Sequence, residues 1–257
     1  MLRTLWTAKT GMNANQDKLD AISNNIVNSN TMGYKKLEVG FKDLLSESLD
    51  RLGNPINDKD SIIGTGTKTS EWYRDNSQGN LQETLLSTDL AIDGLGYFKI
   101  ISPDGNEMYT RDGAFSIDGN GKLVDNKGNK VELNFLNGYT ENNVVFNKNN
   151  FLVDKNGQVY IKEGGNFTEV AEIPVYSAIG DRAFISVGEN LFTPAPGVEV
   201  QRANDFDIYQ GVLEGSNVDI ATEFSDMILT QRAFQLSSRG ITTADEMWGM
   251  INNMRSR

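Results

Sequence analysis

The sequence predicts an α+β protein in which long N- and C-terminal helices, paired like a coiled coil, flank a central all-β domain. Near each end of the chain an apolar residue recurs every seven positions, which is typical of helices that pack along other helices. Between the ends, short runs of alternating apolar and polar residues are separated by Asn-Gly and Asp-Gly pairs, which indicates strands joined by tight turns.

These patterns divide the chain into four segments. They are residues 1–33, the N-terminal helix of an inner helical domain; residues 34–80, a connector; residues 81–205, the central β domain; and residues 206–257, the C-terminal helix of the same helical domain.

The N-terminal helix carries a narrow apolar seam. Its members are Leu5, Met12, Leu19, Ile22 and Ile26. Companion positions such as Asn15 and Ser29 are polar, so we expect this helix to be ordered only when neighbours cover it. Gly33 is suited to a left-handed stop after the helix.

The connector has a weaker pattern. Spaced apolar residues predict a short helix at its start; they are Phe41, Leu44, Leu45 and Leu49. Gly53-Asn54-Pro55 would end that helix, and residues 62–67 are predicted to be extended.

Alternating residues predict short strands in the central domain. The predicted strands are Leu90–Ile92, Gly96–Ile101, Met108–Thr110, Ala114–Ile117, Lys122–Val124, Val144–Phe146, Phe151–Val153 and Gln158–Ile161. Hairpin turns are predicted at the Gly-containing pairs that begin or end at Gly105, Gly113, Gly121, Gly128 and Gly157, since glycine and asparagine accept positive φ. Closely spaced short strands favour an all-β domain.

The C-terminal seam is longer than the N-terminal one. Its members are Leu213, Ile220, Met227, Phe234, Ile241 and Trp248. Ser216 or Asn217 is predicted to cap the helix, with Asp219 completing a variant capping box. Gly240 is a candidate bend. A stripe of this kind usually seats a helix on its own core, but both helices are terminal and their stripes are narrow, so we expect the two seams to form an assembly interface.

The composition excludes several functional classes. The net charge of −11, without a Lys/Arg block, excludes the basic stripe of a nucleic-acid-binding protein. The chain has no cysteine and no histidine, which excludes disulfides, thiol catalysis and Ser-His-Asp chemistry. No apolar run approaches the roughly 18 to 20 residues that span a bilayer. Mixed charges near the N-terminus predict no cleavable secretory signal.

No motif predicts a catalytic, cofactor or metal site. The Gly-rich stretches at Gly64 and Gly94 lack the third glycine and the helix of a dinucleotide fingerprint. Loops after Asp118, Asp125 and Asp154 lack the ligand register of a calcium loop. Three acidic residues could supply an acid–base pair, but nothing fixes their spacing: Glu163, Glu169 and Glu172. A carboxylate-based cell-wall hydrolase is the alternative from the enzyme class.

Three runs of residues are more specific. They are Ile22-Ser23-Asn24-Asn25-Ile26-Val27-Asn28 with Gly33-Tyr34-Lys35; Leu90-Ala91-Ile92-Asp93-Gly94 with Gly96-Tyr97-Phe98 and Tyr109-Thr110-Arg111; and Leu213-Glu214 with Ser216-Asn217-Val218 and Gln231-Arg232-Ala233-Phe234. Together they resemble the signatures of the flagellar basal-body rod and hook protein family, over nearly the whole chain.

The resemblance implies a structural subunit of a helical filament, with the paired helices as an inner tube and the β domain as an outer shell. Its partners would be further copies of itself, other rod subunits, hook or hook-junction proteins and the flagellar export apparatus. It would lie in the basal body outside the cytoplasm, exported without a cleaved signal. Length and the run Phe41–Leu45 most resemble the distal rod members, which transmit torque from motor to hook; the alternatives are the other mid-length rod subunit and a hook-like subunit.

Overall fold

A computed structural model describes residues 2–44, 46–48, 62–136, 138–180 and 183–255. The chain forms two compact units. The helical unit contains residues 1–27, 37–73 and 219–257, and the β unit contains residues 28–36 and 74–218. This division differs from the predicted one, because most of the predicted connector belongs with the helices, and residues 206–218 belong with the β unit.

The described residues form two helices, α1 (Leu2–Val27) and α2 (Ile220–Arg255). Four strands begin or lie wholly in the helical unit: β1 (Leu37–Asp43), β2 (Ser46–Ser48), β3 (Ile62–Gly64) and β4 (Thr67–Arg74). The remaining strands are β5 (Leu81–Glu83), β6 (Leu90–Gly94), β7 (Tyr97–Ile101), β8 (Glu107–Thr110), β9 (Ser116–Ile117), β10 (Leu123–Val124), β11 (Lys130–Val131), β12 (Asn134–Phe135), β13 (Phe151–Val153), β14 (Gln158–Glu163), β15 (Asn166–Glu172), β16 (Val175–Ser177), β17 (Phe184–Gly188), β18 (Leu191–Pro194), β19 (Gln201–Arg202), β20 (Phe206–Gln210) and β21 (Val212–Glu214).

In the helical unit, α1 packs against α2 and against β1, which pairs with β4. Asn25 ties these elements together. Its amide donates to Glu223 Oε2 on α2 at 3.1 Å and to the Leu37 carbonyl at 2.9 Å, and its Oδ1 accepts from the Leu37 N–H at 2.8 Å. Both Asn25 and Glu223 are buried, so the contact between the helices is polar at this level.

Two predictions about this unit are wrong. Phe41 lies in β1 rather than in a helix, since β1 pairs with β4. The other parts of that prediction, at Leu45, Leu49 and residues 53–55, lie outside the described residues. The cap of α2 is Asp219, whose Oδ1 accepts from the Ala221 N–H at 2.9 Å, because the helix begins two or three residues later than a cap at Asn217 or Ser216 predicts. α2 continues through Gly240, and a bend there stays a prediction.

The β unit is built mainly from two antiparallel sheets. One has nine described strands: seven follow the order β17-β18-β8-β7-β11-β10-β9, and β16 pairs with both β7 and β19. The second has the order β12-β15-β14-β13, and two further pairs are β20-β6 and β21-β5. The main hydrophobic core lies within this unit and is centred on fully buried side chains, among them Leu90, Ile92, Phe98, Ile100, Val159, Ile173 and Ile208.

Two predictions about the β domain fail for identifiable reasons. Residues 144–146 alternate in burial, with Val144 and Phe146 buried and Val145 exposed, yet they form no strand because only the Phe146 N–H bonds to another segment, at Gly121. Gly113 is not a hairpin residue. A Cβ there would lie 1.6 Å from the Leu90 carbonyl oxygen, so glycine is required by close approach of two backbones.

Candidate assembly surfaces

The faces by which α1 and α2 contact each other are lined by small and polar side chains. On α1 the buried positions include Ala14, Ala21, Ile22 and Asn25; on α2 they are Glu223, Thr230 and Ala244. A Cβ on Gly240 would lie 3.4 Å from the Ala8 Cβ, and a Cβ on Gly11 would lie 3.3 Å from Ser237 Oγ. Small residues therefore let the two helices approach closely.

The predicted seams lie beside this small-residue contact. In α1, Ile22 is buried and the other four members are half-buried: Leu5, Met12, Leu19 and Ile26. In α2, Met227, Phe234 and Ile241 are half-buried, whereas Ile220 and Trp248 are exposed.

Leu213 is not part of the helical seam. It lies in β21 of the β unit and is 7% exposed, so the seven-residue spacing from Leu213 to Ile220 crosses from a strand into a helix. The period continues there by coincidence, because a shared seam requires one continuous helix.

A second apolar line lies on α2 and was missed by sequence analysis. Leu229, Leu236 and Met250 follow a seven-residue spacing, with Thr243 at the third of the four positions, and the three apolar side chains are 67%, 66% and 58% exposed. We call these three residues the outer line. Their spacing is visible in the sequence, but the seam is longer and has larger side chains.

The outer line leaves apolar surface in water. Met227 and Leu229 are two residues apart on a helix with 3.6 residues per turn, so the seam and the outer line lie on nearly opposite sides of α2. A helix with apolar residues on opposite sides is typical of one that is buried between neighbours on both sides.

A buried triad joins three segments of the β unit. Lys35 follows the N-terminal helix in sequence, Glu214 precedes the C-terminal helix, and Arg111 follows β8; their side chains are 1%, 1% and 2% exposed. Lys35 Nζ donates to Glu214 Oε1 at 2.7 Å, and Arg111 Nη1 donates to Glu214 Oε2 at 3.1 Å. One carboxylate thus pairs with two cations.

Backbone carbonyl and N–H groups form further hydrogen bonds with the side chains of the triad. Lys35 Nζ also donates to the Ser77 carbonyl at 2.7 Å, and the Gly79 N–H donates to Glu214 Oε1 at 2.9 Å. Arg111 donates further to the Ile92 carbonyl at 2.9 Å. Burial lowers the pKa of Lys35 below its usual value; the Glu214 carboxylate opposes this change and the Arg111 charge adds to it.

The buried triad fixes the ends of the segments that lead to the helices. The Gly33 N–H donates to the Glu214 carbonyl at 2.8 Å, with Gly33 at φ 67°, where a Cβ would lie 2.6 Å from the Asp112 backbone nitrogen. The Lys36 N–H donates to Asn217 Oδ1 at 2.6 Å. Residues 33–36 and 214–217 are therefore held together inside the β unit.

The three acidic residues considered for chemistry lie in β14 and β15. Glu172 is paired with Arg202 at 3.5 Å, and the side chain of Glu163 lies outside the described set. Within the described ranges, no group of three acidic residues is placed to hold a metal ion. Neither α1 nor α2 contains an apolar stretch that could span a membrane.

Three family models match the chain. The model described as flagella basal body rod protein matches residues 5–35, that of the flagellar hook protein FlgE/F/G D1 domain matches residues 91–161, and that of the flagellar basal body rod FlgEFG protein C-terminal region matches residues 209–254.

Curated proteins are similar over the full length. The flagellar basal-body rod protein FlgG of Borreliella burgdorferi is 37% identical, with 99% of each chain covered. The protein of the same name from Agrobacterium fabrum is 37% identical over 98% of each chain. The flagellar hook-basal body complex protein FlhP of Bacillus subtilis is 32% identical over 99% of this chain and all of its own.

Proposed function

The chain belongs to the flagellar basal-body rod protein family, as a distal rod structural subunit, and we propose that it polymerises through its two terminal helices into a helical tube. The family is structural and not enzymatic, and its members lie in the flagellar basal body. In this proposal, α1 and α2 form a coiled-coil-like inner layer, and the seams together with the outer line are covered by neighbouring copies.

The single observation that carries the proposal is the apolar surface left on α2. Leu229 and Leu236 are each about two-thirds exposed, and Phe224 and Ile228 are half or more exposed. Burial of each such side chain would contribute about 1.5 to 3 kcal/mol. Copies arranged head to tail along an open helix would cover all these positions, since a heterologous contact that does not close on itself repeats without limit.

Torque transmission follows from this arrangement as a mechanical function. The described part of α2 has 36 residues, about 54 Å at 1.5 Å per residue. Helices of this length packed side by side resist twisting because a twist must slide many interlocked side chains at once. The β unit would add radius, and therefore stiffness, to the tube between motor and hook.

The proposed partners are the same chain, other rod subunits, hook or hook-junction proteins and the export apparatus. Export without a cleaved signal peptide is consistent with helices that complete their apolar contacts only after assembly, since such a helix is marginal when alone. The absence of cysteine suits a structure built outside the cytoplasm from incompletely folded chains.

A second candidate function is that of a hook-basal body subunit outside the distal rod, such as the other mid-length rod subunit or a hook-like subunit. Its support is the 32% identity to FlhP. Cryo-microscopy of basal bodies that carry a tagged copy of the chain separates the two: density at the hook end of the rod supports the distal assignment, and density in the hook or near the motor contradicts it.

We expect that Leu229→Glu combined with Leu236→Glu abolishes rod formation, because two charges would be buried between copies without partners. The matched control is Gln231→Glu with Gln235→Glu, which adds the same charge at exposed polar positions of the same helix. Sedimentation and negative-stain microscopy measure rod formation, and circular dichroism checks that the helix content is unchanged. Normal rods from the leucine variant would remove the outer line from the assembly interface.

A further inference from the structure

Leu85 combines a strained backbone with an exposed apolar side chain. Among the described residues only three other than glycine have positive φ: Leu85 at 61°, Glu189 at 55° and Asn190 at 60°. Glu189 and Asn190 form the two-residue turn between β17 and β18, where positive φ at both positions is normal. Leu85 lies in no such hairpin and is 88% exposed, next to Leu86 at 54%.

Hydrogen bonds on both sides hold this conformation. The N–H groups of Thr84 and Leu85 donate to the Gly211 carbonyl at 2.9 and 3.3 Å. Thr84 Oγ1 donates to Asp89 Oδ2 at 2.6 Å, and the Gly211 N–H donates to the Asp89 carbonyl at 2.8 Å. A bulky residue in the left-handed region persists only where its surroundings over-determine it, and such outliers point to a functional role. Glycine would adopt this turn without strain.

The β unit also contains an open apolar pocket of about 360 Å³. Its wall is the aromatic cluster of Tyr97, Phe184 and Phe192, in which the Tyr97 ring lies 4.6 Å from Phe184 and 5.3 Å from Phe192 between centroids. Leu95 and Ile179 are 67% and 91% exposed at its edge. We call this cavity the aromatic pocket.

Charge distinguishes the aromatic pocket from a second apolar cavity of the β unit. Arg74 and Arg111 both line it; Arg111 is already paired with Glu214, so Arg74 supplies the positive charge of the pocket. The other cavity, near Val144, is lined by Lys122 and Lys130 together with Glu132 and Glu141, so its charges balance. The Leu85 turn carries the exposed carboxylate of Glu83 two residues earlier, which is complementary to the arginine-lined pocket.

We propose that Leu85, with Leu86 beside it, inserts into the aromatic pocket of a second copy of this chain. The turn and the pocket share no residue, so each copy offers both surfaces, and the contact is head to tail and open-ended. In this contact the Leu85 side chain is the anchor. This explains why leucine occupies a position that glycine would fill without strain. This inference rests on the proposed polymerisation and adds a contact between β units to the contacts between helices.

Leu85→Gly separates folding from assembly. The variant relieves the positive φ, so its urea midpoint should be unchanged or higher, while its critical concentration for polymerisation should rise about tenfold or more through loss of one buried leucine. Glu189→Gly is the control, since it relieves a positive φ of similar size in the same unit and should polymerise like the unsubstituted chain. A Leu85→Gly variant that polymerises at the unchanged critical concentration would overturn the inference.

Disulfide capture then tests the partner surface. Because the chain has no cysteine, rods can be formed from a mixture of two full-length variants, Leu85→Cys and Ile179→Cys, at a concentration above the raised critical concentration expected for Leu85→Cys, and oxidised. A dimer joining the two variants supports the contact. Val145→Cys, 55% exposed beside the other cavity, replaces Ile179→Cys in the control. Rods in which residue 85 joins residue 145, or neither, overturn this inference alone; failure of the unsubstituted chain to form rods overturns the proposed function as well.

Discussion

Glu214→Gln should lower the free energy of unfolding of the β unit by about 3 to 5 kcal/mol, because it leaves the charges of Lys35 and Arg111 buried without a carboxylate. Glutamine keeps the size of the side chain and one acceptor oxygen, so the loss reports charge rather than packing. Urea unfolding at neutral pH, followed by near-ultraviolet circular dichroism of the tyrosines of the β unit, measures it, since all three tryptophans lie in the helical unit.

Removing a cation of the triad should lower the free energy of unfolding less than removing the carboxylate does. Lys35→Met leaves a balanced pair between Arg111 and Glu214, so we expect a smaller loss than for Glu214→Gln. The surface control is Glu141→Gln. Glu141 contacts Lys122 and Lys130 while 48% exposed, and its removal should cost less than about 1 kcal/mol. Equal losses for Glu214→Gln and Glu141→Gln would show that the buried triad does not hold the β unit together.

Deletion of residues 1–27 or of residues 219–257 should abolish rod formation completely while the β unit still unfolds cooperatively. The physical reason is that each deletion removes one helix of the helical unit but no residue of the β unit. Negative-stain microscopy measures rods, and urea unfolding measures the β unit. Rods formed by either deletion variant would contradict the role of the terminal helices.

The position of the C-terminal cut provides an internal control. A deletion that begins at residue 214 also removes Glu214 and the Asn217 contacts to Lys36 and Ser77. That shorter protein should lose at least as much stability as Glu214→Gln, whereas the deletion from residue 219 should not. Identical stability of the two truncated proteins would place the stabilising contacts of the β unit elsewhere.

Sequence periodicity predicted the class of the fold and both helices. The seven-residue repeats located α1 and the body of α2, and alternating residues with Asn-Gly or Asp-Gly turns located most strands between residues 90 and 161. The strands from residue 166 onward were not predicted, although Gly164-Gly165 forms the turn before β15, because their alternation of apolar and polar residues is short. Alternation and turn residues locate a strand where the alternating run is long. They do not locate it where the run is short and the pairing strand is distant in sequence.

Residue size did not predict which face of α2 is buried. Apolar periodicity assigned burial to Met227, Phe234 and Ile241, yet the most buried positions of α2 include Glu223, Thr230 and Ala244. Close approach at Gly11 and Gly240 favours small residues between the helices, and large apolar residues are left at the sides. A rule that places the largest apolar residues inside holds for a single core but not for a helix that remains to be covered by other copies.

The buried triad was also invisible to pattern analysis. Lys35, Arg111 and Glu214 lie far apart in sequence, and each is charged, so hydropathy places each of them on the surface. The available signal was local: Glu214 lies between Leu213 and Gly215 in a short strand that is otherwise buried or half-buried. A charge in such a setting indicates a paired carboxylate, but its partners come only from the folded chain.

Hydrogen exchange of the unsubstituted chain, measured by mass spectrometry before and after polymerisation, tests assembly through the terminal helices most directly. Peptides covering α1 and residues 224–250 of α2 should exchange rapidly in the monomer and gain strong protection in the rod, while the core strands of the β unit should be protected equally in both. Helices that exchange at the same rate in monomer and rod, with new protection confined to the β unit, would contradict assembly through the terminal helices.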